Sequence, residues 1–329
     1  MEDVAREAGV SGQTVSRVVN NRGYVGQATR ERVNAAMQLL DYRPNSAARA
    51  LRSGRFRAIG VIMFSFSSYG NQRTLDAIAV RAAQAGYALT LIPMESSARD
   101  TVDGAFRRLE EHAVDGIVIV IEAHQLDEAD VEIPTGLPVV FVDSSRSTTR
   151  PYVDTDQGQG ARLATEHLLE LGHDTVWHLT GPAKSYSAER RRQAWQDTLE
   201  ARGRRVPEAI SGDWSAAAGY EAGVALAADP SVTAVFAAND QMAIGLVRAF
   251  REAGLDVPGD VSVVGFDGLP EAAQLWPPLT TVQQHPERVG ALAVDTLLAE
   301  LDGGASPQAP LVPTELVVRA STAVPRARR

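Results

Sequence analysis

No cysteine occurs among the 329 residues, which excludes disulfides and any thiolate-ligated metal. Lysine is nearly as scarce. Lys184 is the sole lysine among 32 basic residues, a bias that genomic base composition alone can produce. No charged-then-apolar segment opens the chain, and no apolar run approaches the roughly 18–20 residues that span a bilayer, so a cytoplasmic location with no membrane partner is expected. Several chemistries lack their sequence marks. No Gly-x-Gly-x-x-Gly follows a strand-like run, and no Gly-rich loop ending in Gly-Lys-Ser/Thr is present, so no nucleotide cradle is expected. The six histidines show no paired ligand spacing, and no Gly-x-Ser-x-Gly elbow occurs. Neither cofactor nor metal is expected.

What is present is an ample apolar core and a divided charge. Hydrophobic residues make up 44% and charged residues 22%, which fits two or three globular domains. The net charge is −9, yet residues 1–57 hold ten arginines against five acidic residues, leaving −14 on the remainder. A basic head on an acidic body suits a nucleic-acid module joined to something else. Residues 4–20 sharpen that. Val4, Ala5 and Ala8 share one helical face, Gly9 suits a stop with positive φ, and Ser11 suits the N-cap of a second helix. Val15, Val18 and Val19 then recur at helical spacing, while Gln13, Ser16, Arg17 and Asn20 face outward. Those outward side chains are types that hydrogen-bond to base edges, and the pair reads as a helix-turn-helix. The alternative is a small helical hairpin packed within a larger protein.

A third helix is expected over 29–41, with Val33, Met37 and Leu40 closing a mini-core. Pro44 disfavours helix at Arg43, and 45–52 could form one short helix, too short to stand alone. From residue 58 the pattern becomes α/β. Apolar runs 58–64, 87–92, 116–121 and 138–142 alternate with helices, and the rhythm repeats after Asp156 with runs 176–180, 233–237 and 261–266. Such runs imply parallel sheets covered on both faces, in two similar lobes. Ligands bind beyond the carboxyl ends of such strands, where Asp143, Asn239, Asp240, Asp267, Gln283 and Gln284 stand.

Ordered motifs carry a resemblance. They include Asp3 through Asn20, Thr29-Arg30, Tyr42–Asn45, Glu166-His167-Leu168 with Leu171-Gly172-His173, Gly181-Pro182, Gly212–Ala216, Ala238–Ala243, Ser262–Asp267 and Pro277–Gln284. The chain resembles the lactose-repressor (LacI/GalR) family of bacterial transcription regulators from residue 2 to about 322. The resemblance implies an all-α helix-turn-helix headpiece at 1–44, a hinge helix and linker at 45–57, and a two-lobed body like the periplasmic sugar-binding proteins at 58–329. It places the first lobe at about 58–155 plus 286–313 and the second at about 156–283 plus 314–325.

The resemblance also implies roles. Gln13 and Arg17 align with base-reading positions, with Thr14, Ser16, Asn20 and Arg22 holding phosphates. Gly12 stands where a family member carries a large aromatic, so the operator should differ at that step. Asn45, Ala48 and Leu51 fall in the hinge, and Leu51 aligns with a leucine that wedges between bases in the minor groove. Its alternative is a linker leucine packing on the body. Arg191, Asp143, Asn239, Asp267 and Gln284 align with hydroxyl-binding positions, and Trp214 with an apolar face for a sugar ring. Each could instead be a helix cap, a surface charge or, for Trp214, a core residue. Tyr186, Arg190 and Tyr220 are further candidates for the same region. Phe64 and Pro286 depart from the family pattern near the cleft mouth.

The expected function is a homodimeric repressor of a sugar-utilisation operon, released from a palindromic operator by a small saccharide, galactoside-like or related, and not an enzyme. No leucine heptads precede Arg329, from which a dimer rather than a tetramer is expected, and Met1 begins a few residues later than the family pattern. A sugar-binding transport or chemoreceptor protein is the alternative. A hydrolase using Asp143 and Asp267 as a carboxylate pair is a third reading.

Overall fold

Gly9 ends the first helix in the left-handed region (φ 63°, ψ 40°), a conformation that costs a side-chain-bearing residue about 1–2 kcal/mol. The computed structural model describes residues 1–19, 23–42, 54–63, 68–94, 99–111, 113–120, 136–142, 150–304 and 311–326. In the N-terminal unit, Met1–Phe56, helices α1 (Glu2–Ala8), α2 (Gly12–Val19) and α3 (Gln27–Leu39) follow one another. Ser11 starts α2 as expected: its Oγ accepts the Thr14 N–H at 3.2 Å. Val4, Ala5, Ala8, Val15, Val18, Val33 and Ala36 form the core, with Met37 at its margin. Leu40 does not join it and is 43% exposed; α3 stops one residue earlier, and Ala36 packs instead. The helix expected at 45–52 lies outside the described residues.

The second unit, Arg57–Arg329, holds two sheets. Its elements begin with β1 (Ala58–Met63), α4 (Tyr69–Gln84), β2 (Ala88–Pro93), α5 (Arg99–Glu111), β3 (Gly116–Val120), β4 (Val139–Val142) and β5 (Tyr152–Thr155). They continue with α6 (Gln157–Glu170), β6 (Trp177–Thr180), α7 (Tyr186–Ala201), β7 (Ile210–Ser211), α8 (Ala216–Ala227), β8 (Ala234–Ala237), α9 (Asp240–Glu252) and β9 (Ser262–Asp267). A 3-10 turn at Pro270–Gln274 leads to β10 (Thr280–Gln283), α10 (Pro286–Leu301), β11 (Leu311–Val312) and β12 (Glu315–Val317).

The sheets run β11-β5-β4-β3-β1-β2 and β12-β10-β9-β8-β6-β7. Every pairing is parallel except β10 with β12. Parallel strands need both faces covered, and β3, β4, β8 and β9 are buried along their whole length. In the first lobe, Val289, Ala293 and Leu297 of α10 pack with Val61, Val118 and Val140. In the second, Leu246 and Phe250 of α9 cover one face and Trp195, Leu199 and Leu168 the other. The two expected α/β lobes are therefore present, with β5, β7 and β11 as additional short strands.

The chain passes between lobes at Asp156, at Gln284–His285 and at Pro313–Thr314. These passages are tied together. The Asp156 N–H donates to the Val312 carbonyl at 2.8 Å, and Thr314 donates its N–H and hydroxyl to Gln159 Oε1 at 2.8 and 3.1 Å. Among the described residues no helix is long and apolar enough to cross a membrane.

Candidate functional site

Two surfaces carry chemistry, one in each unit. On α2, Val15 and Val18 are buried while Gln13 and Arg17 are exposed and Thr14 and Ser16 half-exposed. The spacing of the valines thus fixes which side chains a groove would meet. Gly12 is exposed, and a Cβ there would meet open space, so its lack of a side chain is not forced by packing. The Thr14 hydroxyl is shared with Ser11 at 2.9 Å. Asn20, Arg22, Asn45, Ala48 and Leu51 lie outside the described residues.

In the body, β4, β5, β8, β9 and β10 end toward one cleft between the lobes. Arg191, Trp214, Asn239, Asp267 and Gln284 all line it; Asp143 and Phe64 lie outside the described residues. Arg191 is the hub. Its Nε donates to Gln157 Oε1 at 2.8 Å, its Nη1 reaches the Ala238 carbonyl, and its guanidinium stands 3.6 Å from Asp267 Oδ1. The guanidinium carbon lies 3.7 Å from the Phe266 ring centroid and 5.5 Å from that of Trp214.

Asp267 sits at φ 109° and Trp214 at φ 73°, left-handed geometry that costs about 1–3 kcal/mol each and persists only where surroundings impose it. Gln284 Nε2 donates to Asp267 Oδ1 at 2.6 Å. The Trp214 ring lies flat on Gly181: a Cβ there would approach it to 2.2 Å. Asn239 caps α9, its Oδ1 accepting the Met242 N–H at 2.9 Å, while its amide donates to the Trp214 carbonyl at 2.9 Å. The capping alternative therefore describes how Asn239 is held, and holding Trp214 is what that cap does for the cleft.

Burial governs the carboxylates. It raises Asp267 to about 6, against the lowering effect of Arg191 and of the Gln284 amide. Behind it, burial and then the charge of Asp267 raise Asp240 to about 7. Asp240 accepts from the Leu269 N–H at 2.7 Å and from the Thr281 hydroxyl at 2.6 Å, and so braces the turn after β9. His178, stacked on Phe236, is held neutral because burial lowers its pKa to about 3.

Other expectations are corrected. Tyr220 does not join the cleft: its hydroxyl donates to Glu252 at 2.6 Å beneath Arg248. Tyr186 is buried among first-lobe residues rather than lining the cleft. Pro286 does line it. The first-lobe contribution, from Asn71, Thr74, Asp154 and Thr155, was missed. The rule that ligands meet strand ends would have found Asp154 and Thr155 had β5 been read as a strand. Among the described residues no group of three side chains could hold a metal.

Comparisons with known proteins find matches in both units. The model for bacterial regulatory proteins of the lacI family matches residues 1–45, and that for a periplasmic binding protein-like domain matches 165–322. The chain is 37% identical to the lactose operon repressor of Escherichia coli (strain K12) over 98% of its own length and 90% of that protein. It is 30% identical to the ribose operon repressor of the same strain, over 91% of this chain and 92% of that one. A crystal structure of the lac repressor dimer bound to operator and an anti-inducer superposes with a TM-score of 0.87 at 36% identity, covering 98% of both chains. With the helix pair, the two-lobed body and full-length similarity together, the chain belongs to the lacI family of bacterial regulatory proteins.

Proposed function

We propose that this chain is a homodimeric repressor that binds a palindromic operator through α2 and leaves it when a neutral saccharide enters the cleft. The observation that carries the reading is the conjunction, in one chain, of a recognition face (Gln13, Arg17) with a cleft whose arginine–carboxylate centre lies against aromatic rings. Arg pairs bidentately with guanine and Gln with adenine, while Thr14 and Ser16, with Asn20 and Arg22, suit phosphates. A single helix-turn-helix reads one half-site, so two chains and a two-fold operator go together. The relatives named above, a repressor of a lactose operon and one of a ribose operon, support a sugar as ligand, and the repressor dimer on its operator supports the assembly. The cleft's own chemistry agrees: Asp267 and Asp154 are each paired with an arginine, so a neutral polyol needs no counter-charge.

The boundaries follow: headpiece 1–44, hinge 45–57 with Asn45, Ala48 and Leu51 against the minor groove, and body 58–329, with Asp143 joining Arg191, Trp214, Asn239, Asp267 and Gln284. Such a regulator works in the cytoplasm, where its DNA is.

The test is fluorescence anisotropy with palindromic DNA from the gene's own upstream region at physiological salt, with and without a sugar panel. Binding well above that to scrambled DNA, reduced by one sugar, is expected. Binding no tighter than to scrambled DNA would overturn the reading.

A further inference from the structure

The amide side chains that line the cleft from the second lobe, Gln157, Asn239 and Gln284, are committed to different degrees. Asn239 gives both N–H groups away, to the Trp214 carbonyl at 2.9 Å and to Gln241 Oε1 at 2.8 Å. Gln284 gives one to Asp267 Oδ1. Gln157 gives none. Its Oε1 accepts the Arg191 Nε–H at 2.8 Å. An arginine only donates, so the oxygen has to face it, and the amide's orientation follows from chemistry. That leaves Nε2, with two N–H groups, without a partner among the described residues. Gln157 is 4% exposed. The partnerless side-chain nitrogens sealed from water, among the described residues, are Trp177 Nε1 and His178 Nε2. Gln157 Nε2 is not one of them, so it opens to the cleft that its side chain lines. The residue is also held in place. Asp156 before it caps α6 by accepting the Gln159 N–H at 2.9 Å and donates its own N–H to the Val312 carbonyl, while Gln159 accepts from Thr314.

Resting on the saccharide reading of the cleft, we propose that Gln157 contacts the ligand, donating from Nε2 to one oxygen of the bound saccharide and so selecting a sugar with an acceptor at that position. A hydroxyl, ring or glycosidic oxygen can each supply the acceptor, and a methylene cannot. A ligand that fills the cleft displaces the water that serves Nε2. A methylene placed there leaves a buried donor unmade, which costs far more than a made bond gains. Sites built around a buried hydrogen-bonding group discriminate most strongly against ligands that lack its partner. Because Arg191 and the crossover at Asp156 fix the amide beforehand, little ordering is left for the moment of binding.

The experiment is calorimetric titration of the full-length protein with lactose, cellobiose, maltose and ribose. The sugar that binds is then titrated beside analogues that each lack one oxygen: its monodeoxy forms, the carba form with a methylene for the ring oxygen and, for a disaccharide, the C-linked form. All are repeated on Gln157→Met, which is similar in length and has no N–H to give. The unaltered protein is expected to bind one analogue at least tenfold more weakly than the parent sugar. Gln157→Met is expected to bind the parent sugar at least tenfold more weakly, and the penalty for that one missing oxygen is expected to shrink at least fivefold, while the other penalties stay as they were. If Gln157 served only to hold Arg191, the variant's loss would be the same for the parent and for every analogue. Unchanged penalties for all analogues in the folded variant would therefore overturn the proposal. So would an unchanged affinity for the parent sugar, and either result would leave the saccharide reading standing. Gln157→Leu carries the same comparison should Gln157→Met fail to fold. If no sugar of any kind binds the unaltered protein, the saccharide reading itself fails, and this inference with it.

Discussion

The two lobes of the body are built on the same strand order, yet their strand ends offer different chemistry to the cleft between them. The second lobe contributes long side chains locked to one another: Arg191 on Asp267 and Gln157, Gln284 on Asp267, Asn239 on the Trp214 carbonyl. Two of its lining residues, Trp214 and Asp267, also hold left-handed backbone. The first lobe contributes shorter groups such as Asn71, Thr74 and Thr155, together with Asp154, and none of its described lining residues has a positive φ. Equal folds thus carry unequal sites. One lobe is a platform whose strain the packing holds in place, and the other is a polar cover.

That contrast can be broken at several points, of graded size. The largest effect is expected from Arg191→Leu. It leaves Asp267 buried without its cation, and breaking a buried pair costs about 3–5 kcal/mol. Sugar affinity should fall more than 100-fold by calorimetry, while operator binding, proposed for the N-terminal unit Met1–Phe56, should persist and no longer respond to sugar. Next comes Gly181→Ala. The new methyl would collide with the Trp214 ring, so overpacking should lower stability by about 1–3 kcal/mol in urea, with a change in tryptophan emission and roughly tenfold weaker sugar binding. An unchanged emission would show that the ring is not set by that glycine.

A third effect concerns pH. Asp240 and Asp267 hold protons more tightly folded than unfolded, with folded values of about 7 and about 6 against roughly 3.9 for an exposed aspartate. The stability they contribute is therefore present below about pH 4 and is lost as pH rises through 6 and 7. Asp240→Asn mimics the protonated form: its amide can donate to the Thr281 hydroxyl while its oxygen still accepts from Leu269. This variant should flatten the fall in Tm between pH 4 and 7.5 and exceed the unaltered protein in Tm at the upper end. A fall as steep as before would remove Asp240 from the account. The smallest effect is expected on the first lobe. Thr74→Val removes one hydroxyl from the cover, worth about 0.5–1.5 kcal/mol, so sugar affinity should drop roughly three- to tenfold. A loss as large as that of Arg191→Leu would mean that the two lobes share the binding energy evenly.

The second lobe was also the more legible in the sequence. Continuous apolar runs announced β8 and β9, and Asn239 and Asp267 stood at their ends where ligands are met. Gln284 stood likewise after the run that became β10, whereas Trp214 and Arg191 were found through resemblance, since nothing in local spacing says that α7 and the turn before α8 face one cleft. The first lobe's share was hidden for a physical reason. β5 is four residues long and mixes Tyr, Val, Asp and Thr, so it shows no apolar run, and its stability comes from pairing with β4 and β11 across a long sequence separation. In the headpiece, the valine spacing identified both helices and the face that is buried. It misplaced Leu40, because the end of α3 is set by its local turn rather than by apolar periodicity.

The proposed regulator requires that one chain couple the cleft to the recognition helix. The most direct test measures operator affinity at saturating and zero sugar, and sugar affinity with and without operator. Sugar should weaken operator binding at least fivefold, and operator should weaken sugar binding by the same factor, because the coupling free energy is shared. Operator affinity that is identical with and without a bound sugar would contradict it.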